Sequence, residues 1–293
     1  MYNNCPKCGS YNSPGTSFCD CGYPLNPEPY LKTQVRTRQE RGLFLAFKYS
    51  ALILMAVSAV VFLVSFPLRN GWPSQEDILQ ETYQAPIQDR TDLPEPFVVD
   101  REGVSYNITP RFNYELFGLV VSQHRSDSLT DVLHEQWNDF LNIKDICVVW
   151  GSNIETQVFR DVTFSSGNFT CFCKWKTADI GRRFSGTALS NNHLLANDQA
   201  IARAILETHI GDQVYLKGFL CKYENPAVGF SRDTSTVRND TGNGACETIY
   251  VTHYSVLKPM NPLFHILFTL SWIIFLIGLL MFFSLAFLFP SQK

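Results

Sequence analysis

Cys5, Cys8, Cys19 and Cys21 fall within the first 21 residues, and a run without charge from Tyr49 to Leu68 follows them. A segment of about twenty residues buries too little apolar area to offset its chain entropy, so it folds only with a metal or with disulfides. The apolar run has the length that about 30 Å of hydrocarbon demands. The chain therefore opens with a cysteine-held module ahead of a membrane-spanning helix.

The four cysteines form two close pairs, Cys5-Pro6-Lys7-Cys8-Gly9 and Phe18-Cys19-Asp20-Cys21-Gly22. Four thiolates fit the tetrahedral shell of Zn(II), and a glycine after each pair permits the turn that brings backbone amides toward the sulfurs. The stretch resembles the N-terminal zinc ribbon of bacterial membrane proteins. That resemblance implies Zn(II) as cofactor, with Cys5, Cys8, Cys19 and Cys21 as ligands. It departs from the usual ribbon in its second knuckle, where Cys19 and Cys21 are separated by one residue instead of two.

A second apolar run covers Leu263 to Phe289, bracketed by Pro259 and Pro262 before it and Pro290 after it. Ahead of the first span stand Lys32, Arg36, Arg38, Arg41 and Lys48, whereas Glu76, Asp77 and Glu81 follow Arg69 on its far side. Basic flanks stay on the cytoplasmic side. The expected organisation is a cytoplasmic zinc ribbon over residues 1–25, a basic juxtamembrane linker over 26–42 and a first transmembrane helix over 43–68. A linker over 69–96, an extracytoplasmic domain over 97–258, a second transmembrane helix over 263–289 and a cytoplasmic tail over 290–293 complete it. Both termini then lie inside, and the protein is integral to a bacterial cytoplasmic membrane. Membrane lipid is one partner, meeting the basic collar with roughly 1 kcal/mol per residue. With a net charge of −3 and Lys7 offset by Asp20 in the ribbon, there is no electrostatic footprint for nucleic acid.

The central domain reads as α+β and rich in strands. Leu116–Ser122, Ile146–Trp150, Phe169–Trp175, Val214–Tyr223 and Ile249–Leu257 are β-branched or aromatic runs bounded by turn residues. Leu129, Val132, Leu133, Trp137, Phe140 and Leu141 share a helical face after Ser128, and Ile201, Ala204 and Ile205 share another after Asn197 as cap, with Gly211 as its stop. The stretch from Gly211 to Phe219 resembles a strand of small OB-like barrels, which implies a partly open barrel. An OB-like shape does not itself name a ligand. The runs LNIKDICVVWG, LSNNHLL, GDQVYLKG and DTGNGACE resemble an uncharacterised extracytoplasmic family of bacterial membrane-tethered proteins. That resemblance transfers no activity.

Cys147, Cys171, Cys173, Cys221 and Cys246 all fall in the segment assigned to the oxidising side, where disulfides persist. Cys171 and Cys173 alternate on one face of a strand and are poorly placed to bond each other, so each reaches toward a neighbour. Cys221 with Cys246 is a further candidate pair, and the connectivity stays open. Cys246 also carries the best constellation for catalysis, with Glu247, His193 or His253, and Asp240, the types a thiol hydrolase needs. A strand, where such enzymes begin a helix, follows Cys246. The Asp240–Gly244 stretch reads as an Asx-stabilised turn, Asn191-Asn192-His193 as another turn, and Arg232, Arg238 and Asp240 as an ion-pair network or a polar groove.

These readings favour a noncatalytic two-span protein that links a cytoplasmic docking module to an extracytoplasmic binding or assembly domain, with protein partners on either side and oligomerisation open. An envelope thiol hydrolase and a structural subunit of a membrane complex are the alternatives.

Overall fold

The computed structural model describes residues 4–25, 27–126, 134, 136–240 and 245–288, with the side chains of 27–37, 40, 41 and 285–288 left aside. It divides into two compact units, Met1–Phe66 with His265–Lys293, and Pro67–Phe264. The helix expected to begin after Ser128 and most of the glycine-rich turn after Asp240 lie outside the described residues.

In the first unit the cysteine module is followed by α1 (Pro27–Arg69). Residues 27–42, expected as a linker, are the first turns of this helix; only Pro27 and Pro29 near its start break an otherwise helix-compatible sequence, where proline is tolerated. Two stretches are long and apolar enough to cross a membrane: Gly42–Arg69 of α1 and Pro262–Ser284 of the C-terminal helix (Pro262–Leu288). Small side chains set the seam between them. Ala51, Ser58 and Ser65 recur at helical spacing and are buried, as is Ser271 on the facing helix. A Cβ added at Gly278 would come within 2.7 Å of Met55 Cγ, so the backbones approach closely there. Phe62 packs on Phe268 at 4.9 Å and Trp272 at 6.0 Å.

The second unit is built on one large sheet. Its strands are β1 (Ile87–Asp89), β2 (Phe97–Arg101), β3 (Val104–Arg125), β4 (Asn142–Val149), β7 (Leu189–Leu195), β8 (Gln213–Asn225), β9 (Phe230–Arg232) and β10 (Glu247–Lys258). The hairpin β5 (Val162–Gly167) and β6 (Thr170–Trp175) stands apart as a two-stranded sheet. Neighbour order is β1-β3-β4-β7-β10-β8-β9, with β2 on β3 and a further pairing of β3 with β8. Five strands, β3, β4, β7, β10 and β8, thus hydrogen-bond to a neighbour on both sides in a closed circuit. All pairs in it are antiparallel except β7 with β10, which is parallel.

The 22-residue strand β3 makes the closure. Its first part, Asn107 to Leu119, pairs with β8, and its last part, Leu119 to Arg125, pairs with β4. At the changeover Gly118 is required, because a Cβ there would fall 2.3 Å from Val148 Cγ1 and 3.1 Å from the Val149 carbonyl oxygen. The strands reach both faces of the sheet with apolar side chains. Val120, Ile146, Val148, Leu216 and Ile249 pack in one cluster, and Leu119, Val121, Cys147 and Val149 in another with Ile154 and Phe159. This double burial explains why the last part of β4, Ile146–Val149, reads as a continuous apolar run.

Among the described residues, short α-helices follow β4 and β6: α2 (Ser152–Glu155) and α3 (Ala178–Arg183). A longer one, α4 (Gln199–Leu206), joins β7 to β8 and lays Ala202 and Ile205 on the core. Its cap is Asp198, not Asn197: the Asp198 carboxylate accepts from the Ala200 and Ile201 amides. Gly211 does not stop it. The helix ends at Leu206, and the Lys144 ammonium, itself buried, donates to the carbonyls of Leu206 and Thr208 beyond that end. Gly211 serves the turn into β8 at φ +92.

Residues 69–96 do not act as a free linker. Ile78 and Thr82 are buried, Trp72 meets Phe159 edge-on at 5.5 Å, and β1 extends the sheet beside β3. The sequence concealed this because short 3-10 turns carry no apolar period.

Candidate functional site

Two places among the described residues carry chemistry. In the first, Cys5, Cys8, Cys19 and Cys21 present four sulfurs within 4.8 Å of one another. Cys5 Sγ lies 3.6 Å from Cys21 Sγ, and Cys8 Sγ 3.5 Å from Cys19 Sγ. A tetrahedral ion with metal–sulfur bonds of about 2.3 Å needs sulfurs about 3.8 Å apart. The donor set fits a thiophilic tetrahedral metal. Backbone turns shape it: Gly9 donates to the Cys5 carbonyl and Gly22 to the Cys19 carbonyl, both glycines with positive φ. The shortened second knuckle does not prevent convergence, because Gly22 at φ +80 turns the chain at once after Cys21.

Cys5 and Cys19 are buried beside Leu25 with Tyr23 packed on them, while Cys8 and Cys21 are exposed. Crowded sulfurs cannot all ionise without a cation. Hydrogen bonds from Ser10 draw the Cys8 thiol down to about 6, whereas the neighbouring sulfurs and burial hold Cys21 up at about 12 against the pull of the Tyr23 amide. A divalent cation removes this conflict by taking all four as thiolates.

The second place is in the β-rich unit, where three adjacent strands bring together residues far apart in sequence. On β4 and β7, Asp145 stands opposite His193 in register, and Cys246 immediately precedes β10, whose Glu247 pairs with Asn192 of β7. His193 Nδ1 is 2.7 Å from Asp145 Oδ1, and both side chains are fully buried. An Arg232 amino group lies 2.7 Å from His193 Nε2, and its guanidinium stacks over the Phe169 ring at 4.2 Å. Cys246 Sγ receives the Asn191 side-chain amide at 3.5 Å and donates to the Phe169 carbonyl at 3.5 Å. Burial works against the Cys246 thiolate, yet His193, Asn191 and Arg232 outweigh it and lower the thiol below its ordinary value.

The polar chain continues inward. Asp145 Oδ1 also accepts from Asn142, whose amide nitrogen is 3.0 Å from His134 Nε2. His134 in turn faces Asp139, which accepts from the Tyr223 hydroxyl at 2.7 Å.

Cys246 opens into a cavity of about 650 Å³, whose apolar wall includes Phe169, Trp175 and Phe184 and whose polar wall includes Asn191, Arg238 and Glu247. Glu247 is buried, and desolvation raises its carboxyl to about 8 because Arg238, 3.8 Å away, compensates too little. Asp240 also lines the cavity and accepts from the Ser235 hydroxyl.

Of the two histidines considered for Cys246, the structure chooses His193. His253 is exposed on β10 opposite Lys217, with its ring against Tyr215 at 5.4 Å. Asn191-Asn192-His193 is strand, not turn. Arg232, Arg238 and Asp240 do not form one network: Arg232 serves His193, and the other two line the cavity. Asp145 was missed from sequence. Its signal was a Lys144-Asp145 pair inside the apolar run of β4, since charged residues in a doubly buried strand need partners.

The cysteines divide accordingly. Cys147 and Cys171 form a disulfide between β4 and β6, as their placement on facing strands allows, while Cys173, Cys221 and Cys246 are free. Cys221 with Cys246 is not a pair. Cys221 is fully buried opposite Pro110 on β3, whereas the Cys246 sulfur is engaged by the Asn191 amide and the Phe169 carbonyl.

Comparison with protein-family models, curated proteins and solved structures finds no match to this chain.

Proposed function

We propose that this is a two-span membrane protein that couples a cytoplasmic zinc-ribbon docking module to a folded domain on the extracytoplasmic side. One observation carries the reading: the four-cysteine cluster precedes the first span-length helix, and the whole β-rich unit falls between the two. A single crossing then separates the modules. The basic residues ahead of Gly42 keep the cluster on the cytoplasmic side of a bacterial membrane. Redox chemistry supports the same sidedness, with four thiols gathered for a metal on one side and a Cys147–Cys171 disulfide on the other.

The Cys5, Cys8, Cys19 and Cys21 set takes Zn(II), the usual tetrahedral thiolate metal. Its exposed faces dock a cytoplasmic protein, and the outer domain engages an envelope component. The closed strand circuit, with one parallel pair and α4 entered between β7 and β8, supports the OB-like barrel reading for that domain. Protease added to intact spheroplasts carrying an N-terminal tag tests the topology. The tag survives and the β-rich unit is the part exposed; loss of the tag with the centre spared overturns the proposal. Purified protein carries one zinc per chain by elemental analysis.

A further inference from the structure

The docking reading leaves the second cluster unused. Cys246, His193 and Asp145 have the roles and the order of a nucleophile, a base and a group that orients the base. Asp145 holds Nδ1 of the imidazole and Arg232 lies at Nε2, while Asn191, on the same face of β7 as His193, touches the Cys246 sulfur, and Phe169, whose carbonyl receives the thiol, packs its ring on His193 at 5.4 Å. An arginine only donates, so wherever its contact at 2.7 Å is made, Nε2 is the acceptor and the ring proton sits on Nδ1, facing Asp145. Burial lowers the proton affinity of His193, and the Asp145 carboxylate raises it by more, to about 9. To take a proton at Nε2 the ring must give up the Arg232 contact, so the thiol proton and the arginine compete for that nitrogen.

Three further observations point to a site rather than a buried polar knot. The sulfur borders a cavity of about 650 Å³, large enough for an organic substrate. The Asn191 side-chain amide already donates to the sulfur at 3.5 Å and is placed to donate to an oxygen that develops charge next to it. The Cys147–Cys171 disulfide pins β6, and with it the Phe169 and Trp175 wall, against β4.

We propose that Cys246 is the nucleophile of an acyl-transfer site, with His193 as its base and Asp145 as a positioning residue, and that the cavity takes a carbonyl substrate whose apolar acyl part lies against Phe169, Trp175 and Phe184. In the first step His193 Nε2 accepts the thiol proton and the sulfur bonds to the carbonyl carbon, while Asn191 donates to the oxyanion. The bond from that carbon to the leaving group then breaks, and the leaving group departs with the proton from His193. Water next attacks the thioester, giving its proton to His193. The carbon–sulfur bond breaks, the acid leaves, and Cys246 recovers its proton. No oxidant or metal enters. This inference goes beyond the docking reading and stands independently of it.

The experiment uses the full-length protein in detergent without reductant. Iodoacetamide labelling of Cys246, followed by peptide mass mapping, is timed against N-acetylcysteine from pH 5 to pH 10. Cys246 reacts about tenfold faster than the reference at pH 7, with a rate that levels off below the reference thiol's titration. A rate that tracks the reference thiol across the whole range overturns the nucleophile. Incubation with p-nitrophenyl butyrate then yields a butyryl adduct on Cys246 and more than one equivalent of p-nitrophenol per chain. Cys246→Ser abolishes both, and His193→Gln slows acylation at least a hundredfold while its melting temperature is monitored. Rapid alkylation of Cys246 without a butyryl adduct overturns the acyl-transfer assignment and leaves a redox thiol. Asp145→Asn shifts the pH profile of alkylation upward; an unchanged profile removes Asp145 from the site.

Discussion

Reducing the Cys147–Cys171 disulfide tests how the hairpin is held on the sheet. The bond joins residues 24 apart, so it closes a loop that the unfolded chain would otherwise explore freely. Chain-entropy arguments assign such a loop about 3.5 kcal/mol at 25 °C. For a folding unit the size of Pro67–Phe264, each kcal/mol moves the melting temperature by roughly 2–4 °C. Reduction is therefore expected to lower the melting temperature of the β-rich unit by about 7–14 °C. Tryptophan fluorescence reports the transition, because Trp175 belongs to the hairpin, Trp72 packs on its Phe164, and Trp150 lies in the main core. Cys147→Ala with Cys171→Ala gives a protein with a similar loss and no response to reductant. A shift under about 3 °C on reduction, or a double variant that still responds, would refute the reasoning: the loop would be ordered by packing alone, or another cysteine pair would be the one that matters.

Glu247 supplies a pH test. Its folded-state carboxyl titrates near 8 and the unfolded one near its ordinary 4.5, so the unfolded chain releases a proton that the folded chain keeps. Stability on this account is highest below about pH 4.5, falls as pH rises toward 8 and is flat above it. Glu247→Gln removes the dependence, so its melting temperature gains on the wild type at pH 8 and not at pH 5; an equal gain at both would sink the idea. Gly218→Ala places a Cβ 2.1 Å from the Tyr250 carbonyl oxygen between β8 and β10, and the backbone there cannot yield cheaply. We expect about 2–3 kcal/mol of destabilisation in urea melts, with a change under 0.5 kcal/mol counting against the close approach. In the N-terminal module, metal affinity measured by chelator competition drops as pH falls from 7.5 to 5.5, because the thiols must lose protons to bind. Cys8→Ser weakens it at every pH, and a flat pH response would exclude thiolate ligation.

Much of this protein is legible in its sequence, and each legible part is local. The four sulfurs of the N-terminal module lie within 21 residues, so spacing alone constrained them to one neighbourhood. The two apolar helices declared themselves by length, since nothing but lipid or a large core accepts such runs. The five long strand segments carried β-branched and aromatic runs of their own.

What required the tertiary structure was everything that depends on which strand lies beside which. Cys246 was noticed in sequence with two histidines and no means of choosing, because His253 is only seven residues away and His193 more than fifty. Parallel pairing of β10 with β7 decided it, carrying His193 to the sulfur and leaving His253 on the exposed side of a bulged strand. The same neighbour relation explains Asp145, which meets His193 only because β4 runs antiparallel on the other edge of β7. Residues 69–96 show the converse. Their polar composition resembles that of a linker, and only the apolar surface offered by Phe159, Leu119 and Val149 gives Trp72, Ile78 and β1 a reason to order. Sequence thus determined the elements whose order lies in closely spaced sulfurs or a continuous apolar run, whereas contacts between distant segments, whose closure free energy no local pattern records, were decided by the sheet.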